Sequence, residues 1–180
     1  MLNLSDEALM LSVKKDNLSE MSVLFERYHI KLYNFFLSLT FNKTLSHDLT
    51  QNLFYRIIKY RKSFNEENGS FKSWIYQMAR NVHIDSCKKE KKLNDRFKNL
   101  ENYDDKVPIS EEIFTEEDFS KLDLALSKLR PEQLELLVLS RFQNLKYEEI
   151  SELTESTVAA IKVQVHRAIK QLKEIYFRQQ

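Results

Sequence analysis

One glycine in 180 residues, Gly69, and two prolines, Pro108 and Pro131, restrict this chain more than any other feature of its sequence. Glycine enters left-handed turns at no steric cost, and proline stops helices. Loops that need two glycines close together cannot be built here, which excludes the phosphate-cradling loops of nucleotide-binding folds. What remains is long runs in which apolar residues recur every three or four positions, the pattern of amphipathic helices.

Met21, Leu24, Phe25, Tyr28, Leu32, Phe35 and Leu39 form one such stripe. Leu49, Leu53, Ile57 and Tyr60 form a second, with Thr44 or Ser46 as its expected N-cap. A third helix is expected to begin at Ser70 and to carry Phe71, Trp74, Ile75, Met78 and Val82 on its apolar face, and a short one covers Asp6 to Val13. Together these predict a helical bundle of the front half. Further on, Thr115 and Asp118 have capping-box spacing ahead of Phe119, Leu122, Leu126 and Leu129. Pro131 sits at a first helical position, opening the run Glu132 to Phe142. A short stretch, Tyr147 to Leu153, then turns through Thr154-Glu155-Ser156 into a longer helix with Val158, Ile161, Val165, Ala168, Leu172 and Ile175 on one side. Short helix, tight turn, longer helix is helix-turn-helix geometry.

Charge divides the chain in the same places. The total is only +1, but residues 1–93 carry a net +5, residues 94–120 a net −6 and residues 121–180 a net +2. The acidic stretch, with Asn102-Tyr103-Asp104-Asp105, Pro108 and Ser110-Glu111-Glu112, buries too little apolar surface to order itself. The expected organisation is all-α, with a first helical domain at 1–93, a flexible acidic linker at 94–115 and a helix-turn-helix domain at 116–180.

Little points to catalysis. No Cys/His cluster has structural-zinc spacing, and neither Gly-x-Ser-x-Gly nor His-Glu-x-x-His occurs. The acid pairs Glu66-Glu67 and Glu148-Glu149 are explained by a loop and a helix start. The expectation is no catalytic residue, no metal and no cofactor. A lone cysteine, Cys87, forms no internal disulfide, the first fifteen residues lack the pattern of a secretory signal, and no apolar run approaches the roughly 18 residues of a membrane span. These features predict a soluble cytoplasmic protein.

Binding is better supported. At about 100° per residue, Lys72, Tyr76, Arg80, His83 and Cys87 share one stripe beside the apolar face of the third helix, and Lys88-Lys89-Glu90-Lys91-Lys92 extends it. Cations suit phosphates, and an aromatic ring offers a stacking surface for an unstacked base. A solvated helix face accounts for the same residues. Asp48, Gln51 and Tyr55 form a polar stripe on the second helix, fit to dock another protein's helices or to face water. On the last helix Ala160, Lys162, Gln164 and Arg167, flanked by Thr157, offer types that reach adenine, guanine, phosphates and a thymine methyl. A tri-helical module used for protein contact is the other reading.

In order along the chain, these segments resemble the extracytoplasmic-function group of bacterial sigma factors, in the sigma-70 family. Asp48-Leu49-Thr50-Gln51-x-x-Phe54 is similar to the polymerase-binding helix of region two, and Ser73-Trp74-Ile75-x-x-x-Ala79-Arg80-Asn81-x-x-x-Asp85 to its promoter-melting segment. Leu129-x-Pro131-Glu132-Gln133, Tyr147-x-Glu149-Ile150 and His166-Arg167-Ala168-x-x-x-Leu172 are similar to region four. The resemblance implies a non-enzymatic factor that binds core RNA polymerase, at the beta-prime coiled coil and the beta flap, and opens promoter DNA. Asp48, Leu49, Gln51 and Phe54 would then contact polymerase. Lys72, Tyr76, Arg80, Asn81, His83, Lys88 and Lys89, with the loop Asn65 to Ser70, would meet the melted strand and capture a flipped base. Thr157, Ala160, Lys162, Gln164 and Arg167 would read the upstream element, and an anti-sigma factor is a further partner the family allows.

Region four departs from the family pattern. Lys146 replaces the usual serine or threonine cap, Glu155 the usual turn glycine, and Ala160, Val163 and Gln164 stand where Thr, Ser and Arg are frequent. A non-glycine at the turn costs roughly 1–2 kcal/mol if the left-handed conformation is kept. The resemblance also places the acidic linker in the polymerase channel that nascent RNA later fills, as a charge mimic or as a plain solvated tether. Two rivals stand beside this reading: a stand-alone helix-turn-helix regulator, and a degenerate sigma-like adaptor that binds polymerase without reading DNA.

Overall fold

The computed structural model describes residues 4–100 and 121–178, with backbone alone for 94–100. The Thr115–Asp118 capping box, Phe119 and the connector at 101–120 lie outside the described residues. Among the described residues there is no strand. The elements are α1 (Asp6–Lys14), α2 (Met21–Thr40), α3 (Lys43–Lys59), α4 (Phe71–Leu100), α5 (Lys121–Ser127), α6 (Pro131–Leu137) running into a wide π-turn at Val138–Phe142, α7 (Tyr147–Thr154) and α8 (Val158–Phe177).

Helix starts follow from side-chain acceptors for otherwise orphaned amides. Ser5 Oγ accepts from Ala8 N at 3.2 Å, and Thr157 Oγ1 from Ala160 N at 3.2 Å. Ser70 Oγ accepts from Ser73 N at 3.1 Å, as the sequence predicts. For α3 the expected cap is displaced: Asn42 Oδ1 takes Leu45 N at 2.8 Å. Ser46 is instead fully buried, its hydroxyl bonded back to Asn42 O at 2.5 Å. Lys146 has no side-chain acceptor, so α7 is capped from the other side, Glu149 Oε2 accepting from Lys146 N at 2.8 Å.

The shortage of glycine shows in the turns. Gly69 takes φ 134°, while Asp16, Phe41, Asn144 and Glu155 enter the left-handed region at φ 71°, 51°, 52° and 53°. Phe41 closes α2 and Glu155 closes α7, each in the position where glycine is the cheap choice.

α2 lies against α1, α3, α6 and the 138–142 turn, while α3 also packs on α4, and α8 on α5, α6 and α7. Phe35 and Phe36 are both fully buried although they are neighbours on α2. Two adjacent buried residues require partners on two faces of the helix, and α2 has neighbours on several sides, α1 and α3 from the front half and α6 with the 138–142 turn from the back. Phe25, expected on the apolar stripe, is 45% exposed and stacks on His29 with ring centroids 4.8 Å apart. One continuous apolar cluster joins both halves. The two domains are thus docked on each other, with α4 in contact with α7.

Candidate nucleic-acid interface

Three surfaces correspond to the sequence-predicted sites, and they differ sharply in accessibility. On α3, Asp48 and Gln51 are exposed, and Tyr55 is 63% exposed on the same stripe. Leu49 and Phe54 are buried beneath them, Phe54 meeting the Phe25 ring at 4.7 Å. The pair therefore supports the stripe from below. On α8, Lys162, Gln164 and Arg167 are exposed, Ala160 is half-buried, and Thr157 serves as the cap. Glu155 at φ 53° keeps the tight turn between α7 and α8, so the helix-turn-helix geometry survives without its glycine.

α4 is different. Tyr76, predicted to lie on an exposed cationic stripe, is 1% exposed. Its ring packs edge-on to Phe35 at 5.5 Å, and its hydroxyl donates to Gln143 Oε1 at 2.6 Å. Burial pushes the Tyr76 phenol pKa upward. Arg80 Nε donates to Glu135 Oε1 at 2.9 Å and Arg80 Nη1 to Leu153 O at 2.9 Å. Lys72 Nζ donates to Asn144 O at 3.0 Å, and burial lowers its pKa. The residues read as a solvent-facing stripe are thus the ones that meet the second domain. Helical period puts Tyr76 on the edge of the apolar face, and that edge is enclosed by Phe35 of its own domain and Gln143 of the second.

Farther along α4 the surface opens. Asn81, Lys88 and Lys89 are exposed. His83 is half-buried, and burial lowers its pKa. Its Nε2 lies 3.7 Å from Cys87 Sγ one turn on, and among the described residues no group of three or more ligating side chains surrounds this pair.

The loop before α4 forms a cavity of about 390 Å³ at the domain junction. Asn65, Gly69, Ser70 and Trp74 line one wall, and Glu149 and Glu152 of α7 line the other. Ser70 and Ser73 hydroxyls converge on Glu149 Oε1 at 3.2 and 3.0 Å. Burial tends to raise the Glu149 pKa, but the Lys146 amide, the two serines and Lys72 outweigh it and hold the carboxyl below its ordinary value. Charge spacing alone gave no sign that Glu135 and Glu149 belong to this surface. Their positions facing α4 depend on how the two domains meet.

Among the described residues no helix is long and apolar enough to cross a membrane. The sigma-70 region 2 family model matches residues 24–93, and the sigma-70 region 4 model residues 119–172. The chain is 29% identical over 164 residues to the ECF RNA polymerase sigma factor SigM of Bacillus subtilis (strain 168), covering 86% of this chain and 94% of that protein. It is 24% identical over 158 residues to SigX of the same organism, covering 84% and 81%. Several solved structures share the fold, two of them at high coverage. One is the sigma factor RpoE of Bartonella quintana in complex with the anti-sigma factor NepR, at TM-score 0.70 and 20% identity over 87% of this chain and 96% of that one. The other is CnrH in complex with the cytosolic domain of CnrY, at TM-score 0.72 and 16% identity over 97% and 99%. With both matched regions in order on two helical domains, the chain belongs to the sigma-70 family as an extracytoplasmic-function RNA polymerase sigma factor, acting in promoter recognition and transcription initiation.

Proposed function

We propose that the three surfaces divide the work of initiation among them. The α3 stripe, with Asp48 and Gln51 outermost and Leu49 and Phe54 holding it from beneath, grips the beta-prime coiled coil of core polymerase, and the second domain meets the beta flap. Lys72, Arg80, Asn81, Lys88 and Lys89 take phosphates of the separated strand, while the loop Asn65 to Ser70 and Trp74 receive an unstacked base. Thr157, Lys162, Gln164 and Arg167 face the upstream element, with Ala160 permitting close approach. Tyr76 and His83 join the strand-binding face once the domains part.

The observation that carries this reading is the exposure of the α3 and α8 stripes on a chain whose two matched regions lie in family order. The chemistry of RNA synthesis belongs to the polymerase, and this chain supplies binding energy and position, acting in the cytoplasm. An anti-sigma factor is a further partner, since RpoE was solved with one. The left-handed Glu155, which preserves the turn before α8, speaks against a degenerate adaptor.

Transcription with core polymerase over a genomic fragment library tests core binding, opening and sequence choice together. Sequence-specific transcripts are expected. Asp48→Ala with Gln51→Ala should abolish core association while the chain stays folded; intact association would remove that site. Arg80→Ala should reduce open-complex formation more than initial promoter binding, and equal loss of both would contradict a role in melting.

A further inference from the structure

The loop Asn65 to Ser70 is held at both ends by a helix outside the matched region 2 stretch, which begins at residue 24. α1 lies against α4 and against the turn Arg61–Ser63 that leads into the loop. At the loop's entry, Lys14 Nζ donates to the Phe64 carbonyl at 2.6 Å. At its exit, Glu7 Oε1 accepts from the Phe71 amide at 3.0 Å, one of the α4 amides that the helix itself cannot satisfy. Glu7 and Lys14 are seven residues apart in sequence, which puts them on one face of α1, two turns and roughly 10 Å from each other. A third contact fixes the approach: Asp16, just past the end of α1, accepts from Arg61 Nε at 3.0 Å and from Arg61 Nη2 at 2.5 Å. α1 does not need these bonds for its own packing, since Ser5 caps it and Leu9, Met10 and Val13 are buried.

Both end bonds are charge-assisted and go to backbone, so they fix where the loop begins and ends and leave Asn65, Asn68 and Gly69 to shape the cavity. The same two anchor points carry the rings beneath it. Phe64 and Phe71 are fully buried, and Trp74, which lines the cavity, meets Phe64 edge-on at 5.5 Å and Phe71 at 6.0 Å. A shift of either anchor therefore moves the indole as well as the loop. We infer that α1 is the template of the base-capturing loop: Glu7 and Lys14 are positioning residues that set the gap between Phe64 and Phe71, and with it the choice of base at one promoter position. This rests on the capture role of the loop proposed above. A loop held at both ends meets the unstacked base in a geometry already formed, so its ordering is not drawn from the binding energy. Released, it accepts several bases about equally while the cations of α4 still hold the strand.

The test uses the full chain. Glu7→Met with Lys14→Met removes both bonds at similar side-chain length, and Glu7→Gln with Lys14→Arg keeps an acceptor and a donor in the same places. Trp74 is the only tryptophan, so its fluorescence reads the cavity directly. Acrylamide quenching of the free chain should rise about twofold in the methionine pair, as expected for local opening, and stay unchanged in the conservative pair. Unchanged quenching in the methionine pair would overturn the inference. The second readout is single-round transcription with core polymerase, from a promoter recovered from the genomic fragment library and from its single-base variants. The methionine pair should lose about tenfold of its base preference at one position of the downstream element, the scale of a single mismatch. Core association, preference elsewhere and the conservative pair should not change. An equal fall on every template would mean a general loss of stability and would overturn the positioning role; should the methionine pair fail to fold, Lys14→Met alone is read the same way. Asn65→Ala with Asn68→Ala separates the two ideas. Preserved base preference in that variant sinks the capture role, whereas altered preference there with none in the methionine pair sinks only the part assigned to α1.

Discussion

α4 and α8 are both amphipathic helices whose polar faces carry lysine, arginine and a residue able to bond bases, yet their fates in the fold are opposite. Lys162, Gln164 and Arg167 stand in the open on α8, whereas Tyr76 is sealed on α4 and Arg80 is bonded twice to the other domain. The difference lies outside either helix. α4 meets α2 where Tyr76 packs on Phe35, and the stretch that lies against α2, α6 with the turn after it, reaches α4 through Arg80–Glu135 and Tyr76–Gln143. α8 has its apolar side satisfied within its own domain by α5, α6 and α7. A binding face is open or shut according to what its neighbours still have to bury.

The sharpest way to break this contrast is truncation at its two centres. Tyr76→Ala should cost about 3–5 kcal/mol of unfolding free energy, the usual range for emptying a buried aromatic site. Gln164→Ala should stay within about 0.5 kcal/mol. Comparable losses in denaturant titrations would mean that α4 is no more enclosed than α8. Tyr76→Phe is subtler: it leaves Gln143, only 8% exposed, without its partner, and should cost about 1–3 kcal/mol.

Turn chemistry offers a smaller comparison. Gly69→Ala meets no atom within 4 Å, so its expected cost of about 1–3 kcal/mol is purely torsional, from φ 134°. Glu155→Gly runs the other way, relieving a left-handed non-glycine, and should stabilise by up to about 1 kcal/mol after the added flexibility of the unfolded chain is subtracted. Thermal melts that show the same sign for both would refute the assignment of strain.

The gentlest effect is on pH. Glu149 has a folded-state pKa below its unfolded one, so its contribution is complete above the unfolded value and is lost as pH falls through the depressed one. The difference in unfolding free energy between the unaltered chain and Glu149→Gln should hold steady from about pH 8 to about pH 5 and decline only in stronger acid. A decline near neutrality would point to a different titrating group.

Much of this was legible before any coordinates. The apolar spacing of α2, α3, α4 and α8 located the helices, because one buried stripe is enough to mark a helix by period. Ser70 as a cap, Pro131 at a helix start and the turn before α8 were legible for the same local reason. Asn42 caps α3 although Thr44 and Ser46 are equally good capping types: its Oδ1 takes the Leu45 amide, Ser46 is buried, and Thr44 lies inside the first turn. Phe25 departs from the expected stripe because it borders it, touching the core only through Phe54 and stacking outward on His29.

The amino-acid order by itself determined which stretches are helical and which family they belong to, since each depends on contacts within a few residues or on motifs a few residues long. Tertiary structure alone decided that the donors of α4 face Glu135, Gln143, Asn144, Glu149 and Leu153 rather than water. Those pairs are separated by tens of residues, and helical period carries no information about which two faces will meet. Docking is settled by the summed burial of α2, α4, α6 and α7, a quantity that exists only once the domains are in contact.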